Sequence, residues 1–266
     1  MIQWTHWHTE PLLVGGILAF AWAYSLLVGP YRSPSYGFPK REAIYFGLGI
    51  LSFYLAVGSP LDALGENFLF SAHMVQHNIL MYVCPPLFLL GLPTWLVDDA
   101  FLRYGWLEKT VGFLVHPIIA GLSFTLVFSL WHIPFLYEWA LHDKAMHAFE
   151  HLTMLFVSLQ MWWCILGPSE RVPPLRYGGQ IIFVFLLMVG QTPLFAFLTF
   201  SSDVFYPTYA YAPRVIDLSP LQDQVLGGVA MKLANMFVSL GIMSVAFYKW
   251  AQESEIKPSQ QHRKPT

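Results

Sequence analysis

The chain has 266 residues, of which 56% are hydrophobic and only 11% charged, against roughly a quarter charged in an ordinary soluble domain. A formal net charge of -2 supplies no basic field, which argues against electrostatic recognition of nucleic acid. The two cysteines, Cys84 and Cys164, lie inside separate apolar runs, so no disulfide framework can be read from them.

In chain order, apolar stretches near the ~20 residues that cross a bilayer fall at 11–29, 43–58, 69–91, 114–131, 146–167, 180–200 and 225–248. The residues before the first stretch include no Lys or Arg, unlike the basic start of a secretory signal, so the stretch reads as a retained first helix. The second is short and ends at Ser59-Pro60-Leu61-Asp62, a stop signal followed by an acidic loop with Asp62 and Glu66. The third runs into Cys84-Pro85-Pro86. Each proline lacks an N–H, so the carbonyls of Met81 and Tyr82 lose their helical partners and a kink is expected. The connections 92–113 and 201–225 hold turn residues and are expected to carry short interfacial segments. This is the pattern of an all-α, polytopic membrane protein with seven transmembrane helices in one domain over 1–251. A polar tail, 252–266, is expected to be disordered.

Basic residues set the expected orientation. Arg32, Lys40 and Arg41 follow the first helix, Arg103 and Lys109 the third, Arg171 and Arg176 the fifth, and Lys249, Lys257, Arg263 and Lys264 the seventh. The opposite side has only Lys144 and Arg214, so the positive-inside rule puts the N-terminus outside and the C-terminus in the cytoplasm. Lys232 falls inside the seventh helix, where an ammonium calls for a carboxylate partner such as Glu150 or Asp62.

The histidines concentrate toward the outer face. His73 and His77 on the third helix are spaced i, i+4, as are His147 and His151 on the fifth, so each pair projects from one helix face about 6 Å apart. Facing histidines can collect metal-ligating nitrogens, with His132 as a fifth candidate. Hydrogen bonding between helices is the bland reading of a single intramembrane histidine; two such pairs at like depth favour function, as a metal site or a proton relay. Met81, Met154 and Met236 lie at helical spacing from these histidines or from Lys232, and imidazole with thioether suits copper. Each is also ordinary filling. Glu150, beside His147 and His151, is a candidate second-layer acceptor. His6, His8 and His142 mark an expected approach path from outside.

Certain motifs are shared with a known family. Ser59-Pro60-Leu61-Asp62, Phe70-Ser71-Ala72-His73-Met74-Val75-Gln76-His77, Pro85-Pro86-Leu87 and Gly91-Leu92-Pro93 closely resemble the CtaG family of cytochrome c oxidase assembly factors, associated with caa-type oxidases. The resemblance continues through Trp131-His132-Ile133-Pro134, His147, Glu150-His151 and Asp223-Gln224-Val225-Leu226-Gly227-Gly228. It implies a seven-helix protein of the bacterial plasma membrane that helps mature a heme-copper oxidase by handling copper. The expected partners are oxidase subunits, an extracytoplasmic copper carrier and membrane lipid, with no nucleic acid.

The leading expectation is a non-catalytic metallochaperone that binds copper, or alternatively zinc, through His73, His77, His147 and His151. An intramembrane zinc hydrolase using Glu150 or Asp62 as base is the enzyme alternative. A heme-binding electron-transfer protein with axial histidines is a third.

Overall fold

The computed structural model describes residues 7–29 and 37–261. The fold is all-helical, 81% helix with no strand among the described residues. Helix α1 (Pro11–Val28) begins with proline, whose missing N–H is harmless in a first turn. Helix α2 (Lys40–Val57) starts three residues earlier than the apolar run. The expected acidic loop is instead helix α3 (Pro60–Asn67). Ser59 caps it by accepting from the Leu61 N–H at 3.2 Å, and Pro60 presets the first turn, so the stop signal of one helix is the start signal of the next.

The third apolar run is helix α4 (Phe70–Asn78), a π-helical turn (Ile79–Val83) and helix α5 (Cys84–Leu90). The two prolines follow that wider turn, in the first turn of α5. One released carbonyl finds another donor, since Trp162 Nε1–H binds Met81 O at 2.9 Å. Beyond an 81° bend comes α6 (Thr94–Arg103), then α7 (Gly105–Leu114), which meets α8 (Pro117–Trp131) at 61°. Helices α9 (Pro134–His142), α10 (Lys144–Leu166), α11 (Tyr177–Phe200), α12 (Pro207–Tyr211) and α13 (Pro220–Gln261) complete the chain. The short segments expected in the two long connections are thus α6, α7 and α12. Helix α13 passes Gln252, where the disordered tail was expected to begin, because Gln252, Glu253 and Glu255 are good helix formers. Residues 262–266, and with them His262, Arg263 and Lys264, lie outside the described residues, as do His6 and Arg32.

Among the described residues, five helical stretches are long and apolar enough to cross a membrane: Pro11–Val28, Lys40–Asn67, Lys144–Leu166, Tyr177–Phe200 and Pro220–Ser254. Taking each bent pair, Phe70–Leu90 with α6 and α7 with α8, as a single span raises the number to seven. Large apolar side chains such as Leu18, Trp22, Leu122, Leu186 and Phe237 face outward, more than half exposed. Lipid solvates such a surface and water does not. The chain is a multi-pass membrane protein.

Three features fix the helix that carries His73 and His77. Asp223, fully buried near the start of α13, accepts from the backbone N–H groups of Phe70 at 2.7 Å and Ser71 at 3.1 Å. It caps α4 from another helix, where no neighbouring side chain does so. Glycines allow the neighbours to close in: a Cβ on Gly227 would strike the Phe70 ring, and one on Gly65 would come within 3.0 Å of the His73 Cα. On the other side, α1 is attached at its ends. Tyr24 stacks on Phe46 and donates to Gly91 O at 2.8 Å, while the His8 N–H reaches Gly58 O at 2.9 Å. Between these attachments a cavity of about 1010 Å³ separates α1 from α2, α5 and α10.

Replacing Asp223 with alanine strands two buried N–H donors, which costs about 3 kcal/mol. Thermal unfolding of the purified protein in detergent should show a markedly lower midpoint for Asp223→Ala than for Asp223→Asn, which keeps an acceptor oxygen.

Candidate metal centre

The two i, i+4 pairs meet. The His73 and His77 rings lie 4.3 Å apart and those of His147 and His151 4.1 Å apart. Across the helices, His73 is 5.3 Å from His147 and His77 is 5.4 Å from His151, centroid to centroid. Glu150 follows His147 by three residues, so α10 turns it toward the same pocket. Ligand atoms of His73, His147, Glu150 and His151 all lie within 4.8 Å of one another, and all four residues are buried. Such a set can hold a metal ion after small side-chain shifts, since metal–nitrogen bonds run to about 2.1 Å.

Hydrogen bonding sets which ring edge is offered. Tyr209 donates its hydroxyl proton to Gly65 O at 2.7 Å, so at 3.2 Å from His73 Nδ1 the same oxygen acts as acceptor. His73 therefore carries its proton on Nδ1 and keeps a lone pair on Nε2. His147 follows the same rule, donating from Nδ1 to Glu66 Oε1 at 2.7 Å. His132 donates from Nδ1 to Phe128 O at 2.7 Å. Partners of this kind orient a histidine and fix its tautomer for metal binding.

The atoms that remain are short of partners. His147 Nε2, His151 Nε2 and both carboxylate oxygens of Glu150 are buried without a hydrogen bond. His73 Nε2 lies 2.8 Å from His77 Nε2, where one proton is shared between two nitrogens, and His77 Nε2 is 3.5 Å from Glu150 Oε1. Burying an unbonded polar group is costly, and a carboxylate more so. A single cation could engage one ligand atom from each of His73, His147, Glu150 and His151.

The remaining expected residues fall elsewhere. His132 Nε2 faces Met74 Sδ at 3.4 Å, with its ring 5.9 Å from His77. Met74 is thus the thioether beside a histidine. Met81 and Met154 pack in the apolar core, and Met236 is half-buried on α13. Lys232 does not pair with Glu150 or Asp62. It donates to Thr192 Oγ1 at 3.1 Å and lies over the Phe195 ring, because α13 turns it toward α11. Asp62 binds Gln76 Nε2 at 2.5 Å and lies 3.3 Å from His8 Nε2. His142 is apart, exposed beside Glu138 and Thr208.

A family profile described as cytochrome c oxidase caa3 assembly factor (Caa3_CtaG) matches residues 22–253. The chain belongs to this family. Membership indicates an oxidase assembly factor, which implies association with the heme-copper oxidase and fits a role other than catalysis. No curated protein and no solved structure matches the chain.

Two contributors to this assembly factor's pocket, Met74 and Tyr209, escape the reading of the sequence, and a third, Glu66, reads there only as a loop residue. Glu66 is i, i+4 from Asp62, a spacing that would have shown both on one face had 60–67 been read as helix. Met74 lies beside a histidine in the motif but off the His73/His77 stripe. Tyr209 comes from α12, and nothing local announces its reach to His73.

Tyr209→Phe removes the oxygen that accepts from His73 Nδ1–H. Retention of a bound metal ion against a competing chelator should weaken roughly 10–100-fold, with the fold kept by circular dichroism.

Proposed function

We propose that the protein holds one copper ion in the donor set His73, His147, Glu150 and His151 and delivers it to a heme-copper oxidase during assembly. The observation that carries this reading is the group of buried imidazole nitrogens and carboxylate oxygens left without hydrogen-bond donors. Copper is cargo here. Imidazole suits both copper and zinc; the product of the family's work, a heme-copper oxidase, and the thioether of Met74 against His132 favour copper.

His77 serves as the exchangeable donor. It occupies the His73 lone pair while the pocket has no ion and yields when one arrives, which keeps the bound state from becoming irreversible. His132 and Met74 stand next to it as a soft outlet. The basic residues orient the seven-span bundle with the N-terminus and the histidine end outside the plasma membrane, where a copper carrier can reach it. A zinc hydrolase would need a base separate from its ligands; Glu150 is here taken up among the donors, and Asp62 accepts from Gln76 Nε2.

Elemental analysis of the purified protein tests the reading. Wild type should carry about one copper per chain, and His73→Ala and His151→Ala should each lose most of it. Cells bearing either variant should accumulate oxidase low in copper. Full metal content in both variants, or zinc in place of copper, overturns the proposal.

A further inference from the structure

The buried donors need a route of supply, and the cavity beside α1 touches only one side of them. His147 and His151 line that cavity, whereas His73 and Glu150 do not. His8, Glu10, Asp62 and Glu66 line the same end. Side-chain exposure falls stepwise along this series, from 52% at Glu10 and 25% at Glu66 to 10% at Asp62, 8% at His147 and 0% at Glu150. Asp62, Glu66 and His147 also present ligand atoms within 4.8 Å of one another. His147 is the residue common to both groups. Its Nδ1 faces Glu66 at 2.7 Å, and its Nε2 is buried without a partner.

We infer that Asp62, Glu66 and the Nδ1 edge of His147 form a loading site, which takes a divalent first-row metal ion from the cavity and passes it through the His147 ring to the buried donors. The inference rests on the proposed inner donor set. Carboxylates at Glu10, Asp62 and Glu66 outnumber the single ammonium of Lys144 at this end, so cations are drawn in. They also replace part of the ion's hydration before it enters a poorly polarisable interior.

A neutral imidazole has one lone pair. In the outer position Nδ1 holds the ion and Nε2 holds the ring proton. In the inner position Nε2 holds the ion and Nδ1–H donates to Glu66. Bonds from the ion to Asp62 and Glu66 break as bonds to His73, Glu150 and His151 form, and the ion keeps its oxidation state. One proton leaves Nε2 and one is taken up at Nδ1, so the ring's charge is unchanged. The two positions exclude each other at His147, and the chain binds one tightly held ion.

Co²⁺ added to the full chain in detergent tests this by its visible absorption in rapid mixing. Wild type should show a fast phase that scales with Co²⁺ and is reversed by EDTA, then a slower phase, independent of Co²⁺, that resists EDTA. Asp62→Asn should slow loading at least tenfold while the EDTA-resistant amplitude is kept, since Asp62 is not one of the four inner donors. His73→Ala should retain the fast phase and lose the slow one. The wild-type loading rate should also fall several-fold between low and high salt, a readout that needs no variant. Loading of Asp62→Asn at the wild-type rate, or a wild-type rate indifferent to salt, overturns the loading site and leaves the inner centre intact. An EDTA-resistant phase that survives in His73→Ala sinks the inner centre itself, and two tightly held ions per chain sink the handover through His147.

Discussion

The hydrogen-bond donors around the buried imidazoles are already committed. Tyr209 spends its proton on Gly65 O, and the Nδ1–H groups of His73, His147 and His132 are held by Tyr209, Glu66 and a backbone carbonyl. Lone pairs consequently collect on the inward edges, together with two buried carboxyl oxygens that lack a hydrogen-bond partner. The surrounding architecture maintains this state. Asp223 fixes the start of α4 from across the bundle, and Gly65 lets α3 lie against the His73 backbone closely enough for its carbonyl to engage Tyr209. Any looseness would let water or a neighbouring side chain fill the deficit.

That deficit sets how the pocket can work. In a membrane interior, unpaired donors and acceptors have no bulk water to fall back on, so a cation gains from each contact. A site built only for tight holding would be a poor carrier. In the proposed copper role, the short contact between His73 and His77 would give a fallback in which two rings satisfy each other, lowering the penalty of release. Exposure rises in steps toward Glu10, so on the proposed loading route an ion need not shed its water at once.

Much of this was legible from residue spacing. Apolar runs located the long helices, and the i, i+4 histidine pairs fell on facing surfaces because helix periodicity is a local property. Family motifs clustered on the same segments, and the family profile extends over them. What could not be read depends on distant parts of the chain. Ser59-Pro60 ends one helix and begins another, and only the second role puts Glu66 beside His147. Lys232 was assigned a carboxylate on energetic grounds, yet Thr192 and an aromatic face meet its needs at the bundle's edge. The methionine stripes followed helical spacing but were absorbed by apolar packing, while Met74, off the stripe, reached His132.

The π turn at Ile79–Val83 has one more consequence. In an unbroken α-helix Cys84 and Phe88 would continue the stripe of His73, His77 and Met81. A wider turn adds a residue, which swings the face below it by roughly 100°. Phe88 and Cys84 accordingly join Tyr24 and Phe46 in the apolar cluster beside the α1 cavity, which Phe88 lines, while Met81 stays with the larger core cluster. A single span thereby serves two chambers whose bearings are decoupled, and either can be remodelled over evolution without re-aiming the other.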